Sequence, residues 1–143
     1  MGLVYAFELH DRVIGTIRMV PASHGLTLTE QLLAGVMPDF RERWPDGWEA
    51  GRLVIAPDFR VGQDVLKRCL YLTLLDMLDN VEVSNLLGCC THVLSRLYRR
   101  FGFNVVARDA SLPGLEKTYS LIHGDVPGVH AALSTSEHRI ADA

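Results

Sequence analysis

With 143 residues, the chain has the length of one domain and enough of it to bury a core without disulfide or metal staples. Hydrophobic residues at 48% and charged ones at 22% exclude a disordered or collagen-like chain. The 14 Lys and Arg against 17 Asp and Glu leave a net charge of −3, so nothing global drives the protein toward nucleic acid or an anionic membrane.

Residues Leu3–Glu8 and Val13–Pro21 are short apolar, β-branched and aromatic runs. The polar connector Leu9-His10-Asp11-Arg12 between them predicts a β-hairpin. Pro21-Ala22-Ser23-His24-Gly25 closes the second strand with turn residues. From Thr27 to Val36, apolar residues at Leu28, Leu32, Leu33 and Val36 follow a helical period. Met37–Gly47, rich in charge, Pro and Trp, reads as a surface loop. Trp48–Ile55 is the next strand, stopped by Pro57, which cannot continue a central ladder.

A wide apolar face from Val65 to Leu78 predicts a long helix, and Leu86–Thr91 an apolar strand covered on both faces. Val93–Arg100 reads as a short arginine-rich helix ended by Gly102. Phe103–Ala107 and Lys117–Ile122 are the last strands, and Pro127–Leu133 the last short helix. Residues 1–134 thus form one domain, a mixed α/β sheet with helices packed on it, and 135–143 a polar C-terminal tail.

The cysteines Cys69, Cys89 and Cys90 are odd in number and read as thiols of a reducing cytoplasm. The first ten residues lack a basic region and carry Glu8 and His10, unlike a signal peptide. Cys69–Leu78 is only half the roughly 20 residues of a spanning helix, and Asp76 interrupts it. Cys89-Cys90-Thr91-His92 has no zinc-ligand spacing with Cys69, so these residues read as core or sheet-end positions, and no metal is expected. Trp44 and Trp48 read as packing residues, with cover of the cleft mouth as the other reading, and His123 and His130 have no neighbouring motif.

Two segments suit chemistry. At Arg60-Val61-Gly62-Gln63-Asp64 a strand feeds a helix through a glycine, which leaves helix N–H groups for a phosphate. A plain strand–helix turn fits the same spacing. Ser95–Phe103 is a basic helix ending in Gly102 between two aromatics, equally compatible with a solvated helix and its C-cap.

Tyr98-Arg99-Arg100-Phe101-Gly102-Phe103 resembles the tyrosine–x–x–x–glycine–aromatic signature of GNAT-superfamily acyltransferases. Arg60–Asp64 resembles a degenerate form of that superfamily's phosphate loop, with Asp64 in place of a small residue. Within the superfamily, Gly15-Thr16-Ile17-Arg18-Met19-Val20-Pro21, Leu28–Leu33 and Glu49-Ala50-Gly51-Arg52-Leu53-Val54 are similar to the acyl-homoserine-lactone synthases, which make quorum-sensing autoinducers. Leu53 stands where that family has phenylalanine. The matches run in unbroken order from residue 3 to 105.

The resemblance implies a GNAT-like fold with a splayed parallel strand pair. It implies transfer of an acyl group from a thioester, on coenzyme A or the phosphopantetheine of acyl carrier protein, to a small amine. Glu49 matches the family's acidic residue, a base acting through water, and Tyr98 the superfamily's general acid. Arg18, Arg52, Leu53 and Val54 match substrate-cleft positions, and Arg60, Gly62, Arg99 and Arg100 would meet the donor's phosphates or an acidic carrier protein. Three apart on a strand, Glu49 and Arg52 point to opposite faces, and a structural ion pair with a neighbouring strand is the other reading of each. The sequence starts at the hairpin, without the N-terminal region that binds S-adenosylmethionine in the autoinducer synthases. The resemblance then implies either a shortened relative with an acceptor other than S-adenosylmethionine or a sequence whose start omits that segment. Two alternatives stay open: a coenzyme A-dependent N-acetyltransferase of a small amine or amino acid, and a non-catalytic thioester-binding module.

Overall fold

The computed structural model describes residues 2–22, 27–60 and 62–142, with side chains as far as residue 134. Strands β1 (Leu3–Leu9) and β2 (Arg12–Pro21) form the expected hairpin. Its turn is tighter than the sequence suggests. His10 at φ 51 and Asp11 at φ 63 both take the left-handed conformation that matches the twist of paired strands. Helix α1 (Leu28–Val36) is capped by the Thr27 hydroxyl, which accepts from the Glu30 amide at 3.2 Å.

The segment expected as a surface loop contains a one-turn helix, α2 (Phe40–Arg43). Phe40 is fully buried, and Arg41 reaches back to the buried Glu30 at 3.2 Å. One aromatic anchor within a charged run carries no periodicity, which is why the pattern conceals this helix.

Strand β3 (Gly47–Ile55) follows, then a 3-10 turn at Pro57–Phe59, helix α3 (Asp64–Asn80), β4 (Asn85–Cys90), α4 (His92–Arg99), β5 (Asn104–Ala110), β6 (Tyr119–Asp125) and α5 (Val126–Asp142). The backbone of α5 runs through the segment expected as a polar tail from Thr135. The side chains beyond 134, and Ala143, lie outside the described residues. So do Ser23, His24 and Gly25 of the expected turn after β2, and Val61 of the expected phosphate loop.

The six strands form one sheet in the order β1-β2-β3-β4-β6-β5, antiparallel except for β3 beside β4. A core of Ile17, Met19, Leu74, Met77, Phe101, Phe103 and Leu133 fills one face under α3, α4 and α5. A second core of Leu32, Leu33, Phe40, Leu87 and Leu121 fills the other face under α1 and α2. β4 lies between the two, so both its faces are buried and its sequence does not alternate. No helix among the described residues is long and apolar enough to cross a membrane.

One buried polar network ties α2 to the sheet. Asn85 donates from Nδ2 to the Pro45 carbonyl at 2.7 Å, which turns its Oδ1 toward His123 Nε2 at 2.8 Å and requires that nitrogen to carry the hydrogen. The His123 ring also stacks on Trp44, with centroids 4.1 Å apart. Burial lowers the affinity of His123 for a proton, against a weaker opposing pull from Asp125. The unfolded chain, with an ordinary histidine near pKa 6.5, therefore binds the proton more readily than the folded one. Stability is full above about pH 6.5 and declines as the pH falls through the lowered folded value, by at most about 1.4 kcal/mol per pH unit for this group. Urea denaturation at a series of pH values should show that decline, and His123→Gln should flatten it.

Candidate active site

β3 and β4 pair over only three positions, Gly47 with Asn85, Trp48 with Leu86 and Glu49 with Leu87. Beyond Glu49 the ladder stops, and the strands enclose a cleft of about 700 Å³. The cause lies in β3. Thr16 faces Val54 but Arg18 faces Gly51, so β3 holds one residue more than β2 across that interval. Arg52 is in the left-handed region at φ 51, an unusual state for a non-glycine residue. Such a bulge bends its strand and sharpens the twist. It also resets the alternation: Trp48, Ala50, Leu53 and Ile55 all pack toward the α3 side, which an unbroken period of two would forbid.

The cleft gathers much of what the sequence singles out. Arg52, Leu53, Val54, Arg60, Gly62 and Tyr98 all line it. Arg60 donates from Nε to the Ile55 carbonyl at 2.7 Å, tying off the end of β3. Gly62 has φ +74, and a Cβ there would meet nothing within 4 Å. Gln63 supplies no side-chain cap to α3, so the first-turn amides have no capping side chain, while Asp64 opens the helix with a carboxylate.

Tyr98 stands on the α4 wall, its ring edge-on to Phe101 and Phe103 at 6.1 and 5.7 Å. These contacts have a backbone cause. The Phe103 amide bonds to the Tyr98 carbonyl at 3.2 Å and the Gly102 amide to the Arg99 carbonyl at 3.4 Å, closing α4 in a Schellman motif with Gly102 at φ +93. The tyrosine–x–x–x–glycine–aromatic spacing is thus the C3, C′ and C″ positions of one helix end. Burial, reinforced by Cys90, pushes the Tyr98 phenol up to about 12. It therefore holds its proton at any working pH.

Glu49 stands at the vertex of the fork as the last paired residue. Its Oε2 is buried without a hydrogen-bond partner. It shares a face with Leu87 and Cys89, the side toward α1 and away from Tyr98. Arg18 lies on that same face, exposed, in the row opposite Gly51. Among the described residues Glu49, Arg52 and Arg18 make no ion pair, so the structural-pair reading of these charges is not what the fold builds.

Arg99 and Arg100 do not line the cleft. Arg99 borders a separate polar depression of about 410 Å³ with Asn104 and Arg108. Cys89 and Cys90, read from sequence as core or sheet-end residues, pack against the two cores on opposite faces of β4, and they also form cleft wall. Their signal was the unalternating β4 pattern, which marks a strand covered on both faces but not one that borders a cavity. Burial pushes Cys90 up to about 11 and raises Cys89 as well, with Glu49 adding to the shift at Cys89. Neither is a thiolate near neutral pH, which argues against a cysteine nucleophile. No group of metal-ligating side chains occurs among the described residues.

The family model described as N-acyl amino acid synthase FeeM matches residues 2–125. No curated protein matches the chain in sequence. Among solved structures, the coenzyme A-dependent acyl-homoserine lactone synthase BjaI, determined with SAM and isopentyl-CoA, superposes with TM-score 0.65 at 18% identity, covering 98% of this chain. The chain spans 64% of the length of BjaI. FeeM from uncultured soil microbes superposes with TM-score 0.72 at 11% identity over 92% of this chain and 76% of its own. A putative N-acetyltransferase from Lactobacillus plantarum superposes at 0.57 and 14% identity, covering 82% of this chain and 64% of its own. These structural likenesses show the expected GNAT-like acyltransferase fold. The match from residue 2 to 125 takes in the hairpin, the fork and the Tyr98 helix end together, and the chain belongs to the FeeM N-acyl amino acid synthase family.

Proposed function

We propose that the protein is an N-acyltransferase that moves an acyl group from a thioester, on coenzyme A or acyl carrier protein, to the amine of an amino acid. The fork supports this reading: the parted strands border a cleft lined by the Tyr98 phenol, and the unpartnered Glu49 carboxylate oxygen is buried beside the last paired rung at its vertex. Where β3 and β4 part, backbone N–H and C=O groups along the fork have lost their partner strand and suit the two amides of a pantetheine arm. An N–H there would also polarise the thioester carbonyl. Arg60 and Gly62 line the cleft, and their N–H groups would meet the donor's phosphate.

The reaction then balances with two protein groups. The amine nitrogen attacks the carbonyl carbon, and Glu49 takes the amine proton through a water. The carbon–sulfur bond breaks, and Tyr98 gives its proton to the leaving thiolate. Ile17, Leu66, Leu70 and Leu97 give the cleft an apolar lining, which favours a fatty acyl group over acetyl. The family's name favours an amino acid acceptor over S-adenosylmethionine. The cytoplasm, where acyl thioesters and thiols coexist, fits the unpaired cysteines.

Thiol release from acyl-coenzyme A and acyl carrier protein thioesters of graded length, with mixed amino acids as acceptors, tests the reading. No turnover above background would remove it. Glu49→Gln should lower kcat about 10²-fold near neutral pH, with the loss shrinking at high pH, where the amine is already neutral.

A further inference from the structure

Helix α1 buries a hydroxyl where its pattern calls for an apolar side chain. Thr29 precedes Leu32 and Leu33 by three and four positions and so shares their face of the helix. That face packs on β4, and the two leucines sit in the core with Leu87 and Leu121. Thr29 is 1% exposed, and its Oγ1 is buried with no hydrogen-bond partner in good geometry among the described residues. A hydroxyl left in that state is a net cost to the fold, and such atoms in a native protein mark a bound water or a functional contact.

The Glu49 Oε2 is a second such atom. Glu49 ends the β3–β4 ladder opposite Leu87, and Cys89, two residues on, is the next side chain on the same face of β4. The Cys89 thiol senses both neighbours. Burial raises it most, the Thr29 hydroxyl draws it back down, and the Glu49 carboxylate pushes it up. Thr29 and Glu49 thus flank one thiol on the α1 side, where the strands part and Cys89 becomes cleft wall. Two buried oxygens on either side of that thiol, each lacking a hydrogen bond, suit a water, which is held in a protein interior where it finds two to four polar partners.

We infer that Thr29 and Glu49 hold one water between them on the α1 side of the fork, and that Thr29 is the positioning residue for the step in which the acceptor amine loses its proton. The inference rests on the acyl-transfer reading, with Glu49 as its base, and adds the residue that aims the relay. The water gives one hydrogen to Glu49 Oε2 and the other to Thr29 Oγ1, whose own hydrogen turns to the Cys89 sulfur. Its lone pairs then face the fork. As the amine nitrogen bonds to the thioester carbon, one amine proton passes to the water, and the hydrogen on the Oε2 side passes to the carboxylate. The water is regenerated, and Glu49 ends the step protonated. Without the Thr29 oxygen the water is no longer aimed, and the relay slows while substrate binding stays.

The test measures thiol release from octanoyl-coenzyme A with mixed amino acids as acceptors, across pH, in wild type, Thr29→Val, Thr29→Ser, Glu49→Gln and the Thr29→Val, Glu49→Gln double variant. Valine keeps the shape of the side chain and removes its oxygen. Thr29→Val should lower kcat roughly tenfold near neutral pH, the effect of one hydrogen bond, with the donor KM unmoved. The loss should shrink at high pH, where the amine is already neutral, and serine should restore most of it. In the Glu49→Gln background Thr29→Val should add nothing, because the two residues act as a unit. A crystal structure should place a water within about 3 Å of both oxygens. If valine prevents folding, Thr29→Ala is read by the same criteria. No loss of kcat, an equal loss at every pH, a full further loss in the Glu49→Gln background, or a direct Thr29–Glu49 hydrogen bond without a water would overturn the inference and leave acyl transfer standing. A Glu49→Gln enzyme as fast as wild type would overturn it together with the role of Glu49 as base. A wild type without turnover removes the acyl-transfer reading and the inference with it.

Discussion

Tyr98→Phe is expected to lower kcat for acyl transfer by roughly 10²–10⁴-fold, the range of a positioned general acid. The ring would keep its edge-on contacts with Phe101 and Phe103, so the fold should hold and the loss should report the missing proton. With the phenol pushed up to about 12, wild type should show no alkaline fall from this group in any practical assay, and the variant's loss should be flat with pH. A second signature separates proton donation from packing. An aryl thioester leaves as a stable thiolate without help, so the variant should lose much less with that donor than with an alkyl thioester. Equal losses for both donors would mean that Tyr98 shapes the cleft and does not protonate the leaving group.

The largest effect on stability is expected at Gly102. Its φ of +93 is unfavourable for any residue with a side chain, and a Cβ would lie 2.7 Å from the Gly128 carbonyl oxygen and 2.8 Å from the Val129 Cα. Both obstacles are backbone, so a side chain cannot simply swing aside. Gly102→Ala should cost about 3 kcal/mol, combining the left-handed penalty with the overlap, and lower Tm by on the order of 10 °C. Because the same turn holds Phe103 against Tyr98, kcat should fall in the variant even at temperatures where it remains folded. A Tm within a degree or two of wild type would mean that α5 slides away at little cost.

The helix end that joins these two residues was legible in the sequence because its geometry is local. A helix that must stop within one turn and run into a strand demands a left-handed residue, and glycine announces it. The hairpin, the long helix and the buried strand were legible for the same reason, since each is written as a period. The bulge at Arg52 was not. It depends on how many residues β2 supplies opposite, a property of two strands together, and arginine gives no sign of a left-handed backbone. The placement of the arginines divides in the same way. Arg60 follows the strand end and reaches the cleft, whereas Arg99 and Arg100 look equally suitable by charge but do not line it, and Arg99 borders another depression. Glu49 and Arg18 each stood out as charges in apolar strands, yet their sharing of one face across Gly51 appears only once the register is known.

The short ladder between β3 and β4 also makes the sheet two leaves bound along a brief spine. β1, β2 and β3 form one leaf and β4, β6 and β5 the other, joined at three residue pairs near one edge. The spine is reinforced where it is shortest: Ser84 and Asn85 both donate to the Asp46 carbonyl, and the Trp48 indole donates to the Glu82 carbonyl across the same end. The register between the leaves is fixed at that spine. A ligand seated in the fork would act as a wedge between covers, and whatever width it has is read by both leaves at once. Just past the spine, Gly88, Cys89 and Cys90 stay paired with Ile122, Leu121 and Ser120 of β6, so that half of the sheet holds together where the fork opens.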